Sequence, residues 1–133
     1  MKIVIFACVH NAGRSQMAAA IFNQLADSEK AGAISAGTEP GERVHPEVVT
    51  VMREHGVDLS AEHPTKLTDD LAASAQLLIT MGCGEACPVV PGMDREDWPL
   101  EDPKGKPLDQ VRAIRTEIEG RVQRLLVGRG WLR

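Results

Sequence analysis

Apolar residues follow two alternating spacings along this chain. Lys2-Ile3-Val4-Ile5-Phe6-Ala7 is short, unbroken and rich in β-branched residues, the pattern of a parallel strand buried on both faces, and it delivers Cys8 to the strand's carboxyl end. From Ser15 the spacing becomes helical, with Met17, Ala18, Ile21, Phe22 and Leu25 on one face. Ala31 to Ala36 predicts a second strand, closed by the loop chemistry of Gly37-Thr38-Glu39-Pro40-Gly41. Pro46 at a first helical position and Gly56 past the end bracket a helix carrying Val48, Val49 and Met52. Asp58 to Lys66 is a connection, Thr68 caps a short helix through Ala75, and Gln76 to Met81 is a third strand. Gly82 to Lys106, rich in Gly, Pro and Asp, predicts a long functional loop region with one short strand near Trp98-Pro99-Leu100. Leu108, Val111, Ile114, Ile118, Val122 and Leu125 then form one stripe on a long helix that stops near Gly128. This alternation predicts an α/β fold: a single three-layer domain over residues 1–133, with a four-stranded parallel sheet flanked by helices. Ligands of such sheets bind beyond the carboxyl ends of the strands, where Cys8 and Cys83 both emerge.

The chemistry concentrates at the first of those ends. In Cys8-Val9-His10-Asn11-Ala12-Gly13-Arg14-Ser15 a loop opens directly into a helix N-terminus, so the amides of residues 9–15 and the helix dipole favour an anion. The same field suits Cys8 to act as a thiolate nucleophile. Arg14 adds a planar, two-pronged cation that can grip two oxygens of a tetrahedral anion, where Lys offers only a point charge. Alone, Cys8 reads equally as an inert buried cysteine and Arg14 as a surface residue. The order of strand, Cys, Gly-containing loop, Arg, Ser and amphipathic helix is what points to a substrate-binding loop.

Composition narrows the class. The chain has 133 residues, 43% hydrophobic and 26% charged, which suits one globular domain with a substantial core. No stretch approaches membrane-spanning length and Met1-Lys2 opens no signal-peptide pattern, so a cytoplasmic protein is expected. A formal net charge of −4 argues against nucleic acid as a partner. Three cysteines are too few for a disulfide framework and point to redox or catalytic use. Cys83 and Cys87 have no histidines nearby and make a poor zinc set, so neither a metal nor a cofactor is expected. His45, His55 and His63 read as helix-boundary or loop residues. Arg112, Arg115, Arg121 and Arg124 read as a solvated helix face or a docking surface for a reductant.

Cys8-x5-Arg14-Ser15 with Asn11 inside the loop, Ser35-Ala36-Gly37-Thr38 after the second strand, and Asp102-Pro103 in a late loop together resemble the low-molecular-weight protein tyrosine phosphatase fold over nearly the whole chain. Within it, Arg14-Ser15-Gln16-Met17-Ala18, the segment Thr80 to Pro88 and the segment Asp97 to Lys106 resemble the thioredoxin-coupled arsenate reductases built on that fold. A phosphotyrosine site needs walls for a phenyl ring, and related phosphatases place aromatic residues just after the Asp-Pro pair. This chain has Lys104-Gly105 there and no tyrosine anywhere.

The resemblance implies that Cys8 attacks arsenate, that the loop amides and Arg14 stabilise the oxyanion, and that Asp102 protonates the departing oxygen. Cys83 then attacks the Cys8 sulfur and releases arsenite, Cys87 takes over the disulfide, and thioredoxin reopens it. Asn11 and Ser15 hold the loop and tune the sulfur, and Ser35 braces it from the neighbouring strand. Phosphate or sulfate compete as oxyanions. Asp102 before Pro103 reads equally as the start of a turn. The loop also resembles reductases that use a low-molecular-weight thiol such as mycothiol, and a phosphatase remains the other alternative. Two departures stand out. The acidic residue that helps some relatives bind potassium is replaced by Ala19, and the Cys-x3-Cys pair is tighter than in many relatives.

Overall fold

The computed structural model describes residues 1–82 and 92–133. In chain order the elements are β1 (Lys2–Cys8), α1 (Arg14–Leu25), β2 (Ala31–Gly37), α2 (Pro46–Arg53), α3 (Asp69–Ala73), β3 (Leu77–Thr80), β4 (Asp94–Asp97) and α4 (Leu108–Arg129). The strands form one sheet in the order β2-β1-β3-β4, and every pairing is parallel. This is the three-layer α/β arrangement expected from the alternation of spacings.

The unbroken apolar run of β1 is explained by its central place, since both of its faces are covered. Val4, Phe6 and Cys8 join Met17, Phe22, Val48, Met52, Val111, Ile118 and Val122 in the larger core, against α1, α2 and α4. Ile5 and Ala7 turn to the smaller core, with Leu67, Ala72 and Ala75 around α3. The aromatic rings form a single stack inside the larger core: Phe6 lies 5.5 Å from Trp98 and 5.9 Å from Phe22, and Phe22 lies 6.3 Å from Trp131. The chain contains two Phe, two Trp and no Tyr, so this stack uses every aromatic ring it has.

Two boundaries differ from the sequence reading. The fourth strand is Asp94–Asp97, not the stretch around Trp98-Pro99-Leu100. Its four charged residues show no apolar alternation because it is an edge strand, held by backbone pairing to β3 and protected from further pairing by those charges. Trp98 follows it as a core plug, buried, with its backbone N–H donating to Thr80 O at 2.8 Å. The last helix runs on to Arg129 and ends at Gly130, whose φ of 72° supplies the left-handed C-cap. The tail beyond it is tied down, with Asp27 N donating to Trp131 O at 2.7 Å and Arg133 N to Leu25 O at 2.9 Å.

α2 is pinned to α4 by a charge cluster. Arg112 bonds both carboxylate oxygens of Glu54, while Arg115 Nη1, nearly buried, donates to Glu54 Oε1 at 2.8 Å and Val51 O at 2.6 Å. Hydrogen bonds from Arg112 and then Arg115 hold the Glu54 carboxyl down at about 2, from a usual 4.5. A depressed carboxyl stabilises the fold above its unfolded value and loses that contribution as pH falls toward its folded value. The thermal midpoint of wild type should therefore exceed that of Glu54→Gln above pH 4.5, with the gap closing as pH falls toward about 2. Unfolding followed by circular dichroism across that range checks this, and a gap that does not change with pH counts against it.

Candidate active site

The loop after β1 is held from below by side chains rather than by ladder bonds. Asn11, Ser15 and Gln16 are all buried. Asn11 is the single non-glycine residue with positive φ among the described residues, at 51°, a conformation that Asn tolerates better than most side chains. That turn aims its backbone N–H at Cys8 Sγ, 3.2 Å away. Its side-chain amide donates to Ser15 Oγ at 2.8 Å, and Ser15 Oγ lies 2.8 Å from Cys8 Sγ. With Ser15 Oγ already accepting from Asn11, the hydroxyl hydrogen is free to point at the sulfur. Two donors thus converge on Sγ, as a sulfur anion requires.

Asn11 is in turn fixed by residues the sequence reading did not single out. Its Oδ1 accepts from Thr65 N at 2.8 Å and from Gln16 Nε2 at 3.3 Å, and its backbone oxygen accepts from Gln16 Nε2 at 3.1 Å. The position that is acidic in some relatives is Ala19 here, and its methyl offers no oxygen to a cation.

α1 begins at Arg14, without a side-chain N-cap. Among the described residues, the backbone N–H groups of Ala12, Gly13, Arg14 and Ser15 have no hydrogen-bond partner, so they remain available to a ligand at the helix N-terminus. The small cleft they face is lined by Cys8, His10, Ala12, Gly13, Arg14, His45 and Asp102. Cys8 and Arg14 therefore do meet at one cavity, and Asp102 reaches it from the loop before α4. Asp102 is exposed, and its Oδ1 accepts from Lys104 N at 3.0 Å, so it starts a turn as well as facing the cleft.

Close packing explains the glycines. A Cβ on Gly37 would lie 2.6 Å from Val9 O and 2.8 Å from Asn11 N, so only a bare backbone lets β2 back the loop this closely. Gly82 adopts φ 103°, which favours glycine, and a Cβ there would lie 2.5 Å from Arg14 Nη1 and push the guanidinium aside. The same Nη1 donates to Leu100 O at 3.0 Å, which fixes one prong of the guanidinium.

Other expected residues fall elsewhere. Val9 packs partly buried against the smaller core, and His10 Nδ1–H donates to Glu39 O, 2.9 Å away. Ser35 sits in β2 opposite Phe6 and lines a separate cavity beside Gln16, Asn23 and Thr65; it makes no hydrogen bond to the loop, and Gln16 and Thr65 occupy the bracing position instead. His45, read as a helix-boundary residue, does precede α2, but its ring lies in the cleft. The turn after β2 returns the chain to the loop, with His45 N donating to Ala12 O at 2.8 Å, a contact that no local spacing announces. Cys83 and Cys87 lie outside the described residues.

A cysteine at the end of a central strand, facing a helix N-terminus and an arginine across one small cleft, is the arrangement of a phosphatase-like α/β protein. The chain belongs to the low molecular weight phosphotyrosine protein phosphatase family, whose model matches residues 3–129. It is 42% identical over 123 residues to a putative arsenate reductase of Halobacterium salinarum, covering 88% of this chain and 85% of that one. It is 36% identical over 129 residues to the glutaredoxin arsenate reductase of Synechocystis, covering 95% and 97% respectively. Its fold superimposes with a TM-score of 0.83, at 40% identity, on a thioredoxin-dependent arsenate reductase of Corynebacterium glutamicum. The match covers 96% of this chain but 61% of that solved chain, so the present sequence spans less than two thirds of its length.

Proposed function

We propose that this protein is an arsenate reductase that serves arsenic detoxification, working as one domain across residues 1–133. The observation that carries the choice over a tyrosine phosphatase is the fate of the aromatic rings. All four Phe and Trp rings stack in the core, so among the described residues the cleft at Cys8 has no Phe, Trp or Tyr wall for a phenyl group, while the sulfur, a cation and unpaired amides meet at it for a bare oxyanion. The curated relatives named as arsenate reductases support the same reading.

In this mechanism the Cys8 thiolate attacks the arsenic of arsenate. The amides of residues 12–15 and Arg14 stabilise the charge on the arsenate oxygens, and Asp102 gives its proton to the departing oxygen, which leaves as water. Cys83 then attacks Cys8 Sγ. The sulfur–arsenic bond breaks with its electron pair on arsenic, arsenite departs, and a Cys8–Cys83 disulfide forms. Cys87 attacks Cys83, freeing Cys8 as a thiolate and leaving a Cys83–Cys87 disulfide for the dithiol of thioredoxin to reduce. The name of the Corynebacterium glutamicum structure supports thioredoxin as the reductant. A working thiol relay also needs a reducing compartment, which places the protein in the cytoplasm.

Arsenate-dependent NADPH oxidation coupled through thioredoxin and its reductase tests the relay. Cys83→Ser and Cys87→Ser should each lose coupled turnover to background, while p-nitrophenyl phosphate hydrolysis by these variants stays at whatever low level the wild type shows. Normal reduction by both variants would assign the second step to an external thiol such as mycothiol. Fast hydrolysis without arsenate reduction would establish the phosphatase instead.

A further inference from the structure

The reaction steps leave two ionisable groups of the cleft, His10 and His45, without a task, and the His10 ring is tied to Glu39 O. His45 lines the cavity with Cys8, Arg14 and Asp102, and it is positioned rather than free. Its backbone N–H is held by Ala12 O at 2.8 Å, and its ring edge is close to Gly13, where a Cβ would lie 3.4 Å from His45 Cδ2. Pro103 closes on the same position, 2.7 Å from that Cβ. The imidazole is therefore packed against the loop that receives the anion, on the side of the cleft from which Asp102 enters.

Resting on the oxyanion reading of this cleft, we infer that His45 is a selectivity residue: its ring takes a proton from solvent when a doubly charged tetrahedral anion enters, which couples oxyanion binding to proton uptake. Arg14 carries its charge at every working pH and cannot distinguish one anionic charge from two by gaining a proton. An imidazole can, because its usual value lies near neutrality. Burial lowers His45 below its usual 6.5, and the charges facing it are divided. The carboxylates of Asp102 and Glu47 favour its cation, while Lys104 and His10 oppose it. Glu47 is itself held toward the Asp102 turn, with its Oε1 accepting from Gly105 N at 3.3 Å. A second anionic charge placed beside Gly13 tips this balance toward the imidazolium, whereas a singly charged anion already matched by Arg14 does so less.

Sulfate is the suitable probe because it remains a dianion across the pH range in which His45 titrates, so any proton taken up belongs to the protein. Calorimetric titration of sulfate into the reduced wild-type protein, in two buffers of different ionisation enthalpy, reads the proton uptake directly. Uptake of up to about one proton per sulfate is expected near neutral pH. For each unit by which bound sulfate raises the His45 value, affinity should gain about tenfold as pH falls through the titration. His45→Asn should abolish the uptake and flatten the pH dependence, whereas Asp102→Asn should keep the uptake but move it to lower pH, because the Asp102 carboxylate favours the imidazolium. Proton NMR of the His45 ring in the wild type, with and without sulfate, gives the same answer without a variant: its titration should move upward on binding.

Sulfate binding without proton uptake, or uptake that survives in His45→Asn, overturns the inference. Loss of uptake in Asp102→Asn at every pH, with the wild-type His45 ring titration unmoved by sulfate, also overturns it and assigns the proton to the carboxyl. A wild type that binds neither sulfate, phosphate nor arsenate instead removes the oxyanion reading on which the inference rests.

Discussion

Cys8→Ser should reduce arsenate-dependent turnover by about 10⁴-fold or more, the scale seen when an enzyme loses its nucleophile. The substitution keeps the size and polarity of the side chain, so the bonds from Asn11 N and Ser15 remain satisfiable and the fold is expected to survive. What is lost is chemistry. A serine hydroxyl is not ionised near neutral pH, and an oxygen cannot enter the disulfide through which arsenic receives its electron pair. Oxyanion binding should persist, because the free amides at the start of α1 and Arg14 are untouched. Steady-state kinetics beside sulfate titration separates these effects. Turnover within tenfold of wild type would remove Cys8 from the mechanism, and loss of binding together with turnover would indicate a collapsed loop.

Arg14→Lys should lower kcat/KM by about 10²- to 10³-fold, the cost of removing one well-placed oxyanion donor. The guanidinium must do two things at once. Nη1 donates to Leu100 O at 3.0 Å and lies against Gly82, which leaves its remaining N–H groups to grip the anion in a fixed plane. A lysine ammonium is a compact point charge and cannot span backbone and anion in that fork geometry. Because the grip tightens as charge accumulates in the transition state, turnover should suffer more than ground-state sulfate affinity. Equal losses in both would mean that Arg14 only gathers substrate, and a change below threefold in kcat/KM would contradict the clamp.

These two residues were legible from the start because the order of elements presents them. A strand that ends at Cys8 and a helix that begins at Arg14 can only place the loop amides, the sulfur and the guanidinium near one another. The supporting residues are a different case. Asn11 stood out as part of the loop, but Thr65, which holds it, is 54 residues away, and Leu100 O, which fixes Arg14, is 86 residues away. His45 gave no local sign beyond sitting before a helix, because its place in the cleft depends on how α2 returns to the loop. Ser35 is the converse case: it lies in the strand beside the loop and lines the neighbouring cavity, while Gln16 and Thr65 make the bonds to Asn11.

The same division holds for the fold. Periodicity by itself determined β1, α1, β2, α2, β3 and α4, since each buries a face or both faces and so writes its burial into its own spacing. It also determined the parallel sheet and the strand end at which the chemistry lies. Only the tertiary structure decided β4, a charged edge strand stabilised by backbone pairing with β3 rather than by apolar side chains. The structure alone also showed that every aromatic ring is committed to the core, and that Gly82 and His45 shape the cleft. Contacts of that kind join segments distant in the chain, and no local spacing encodes them.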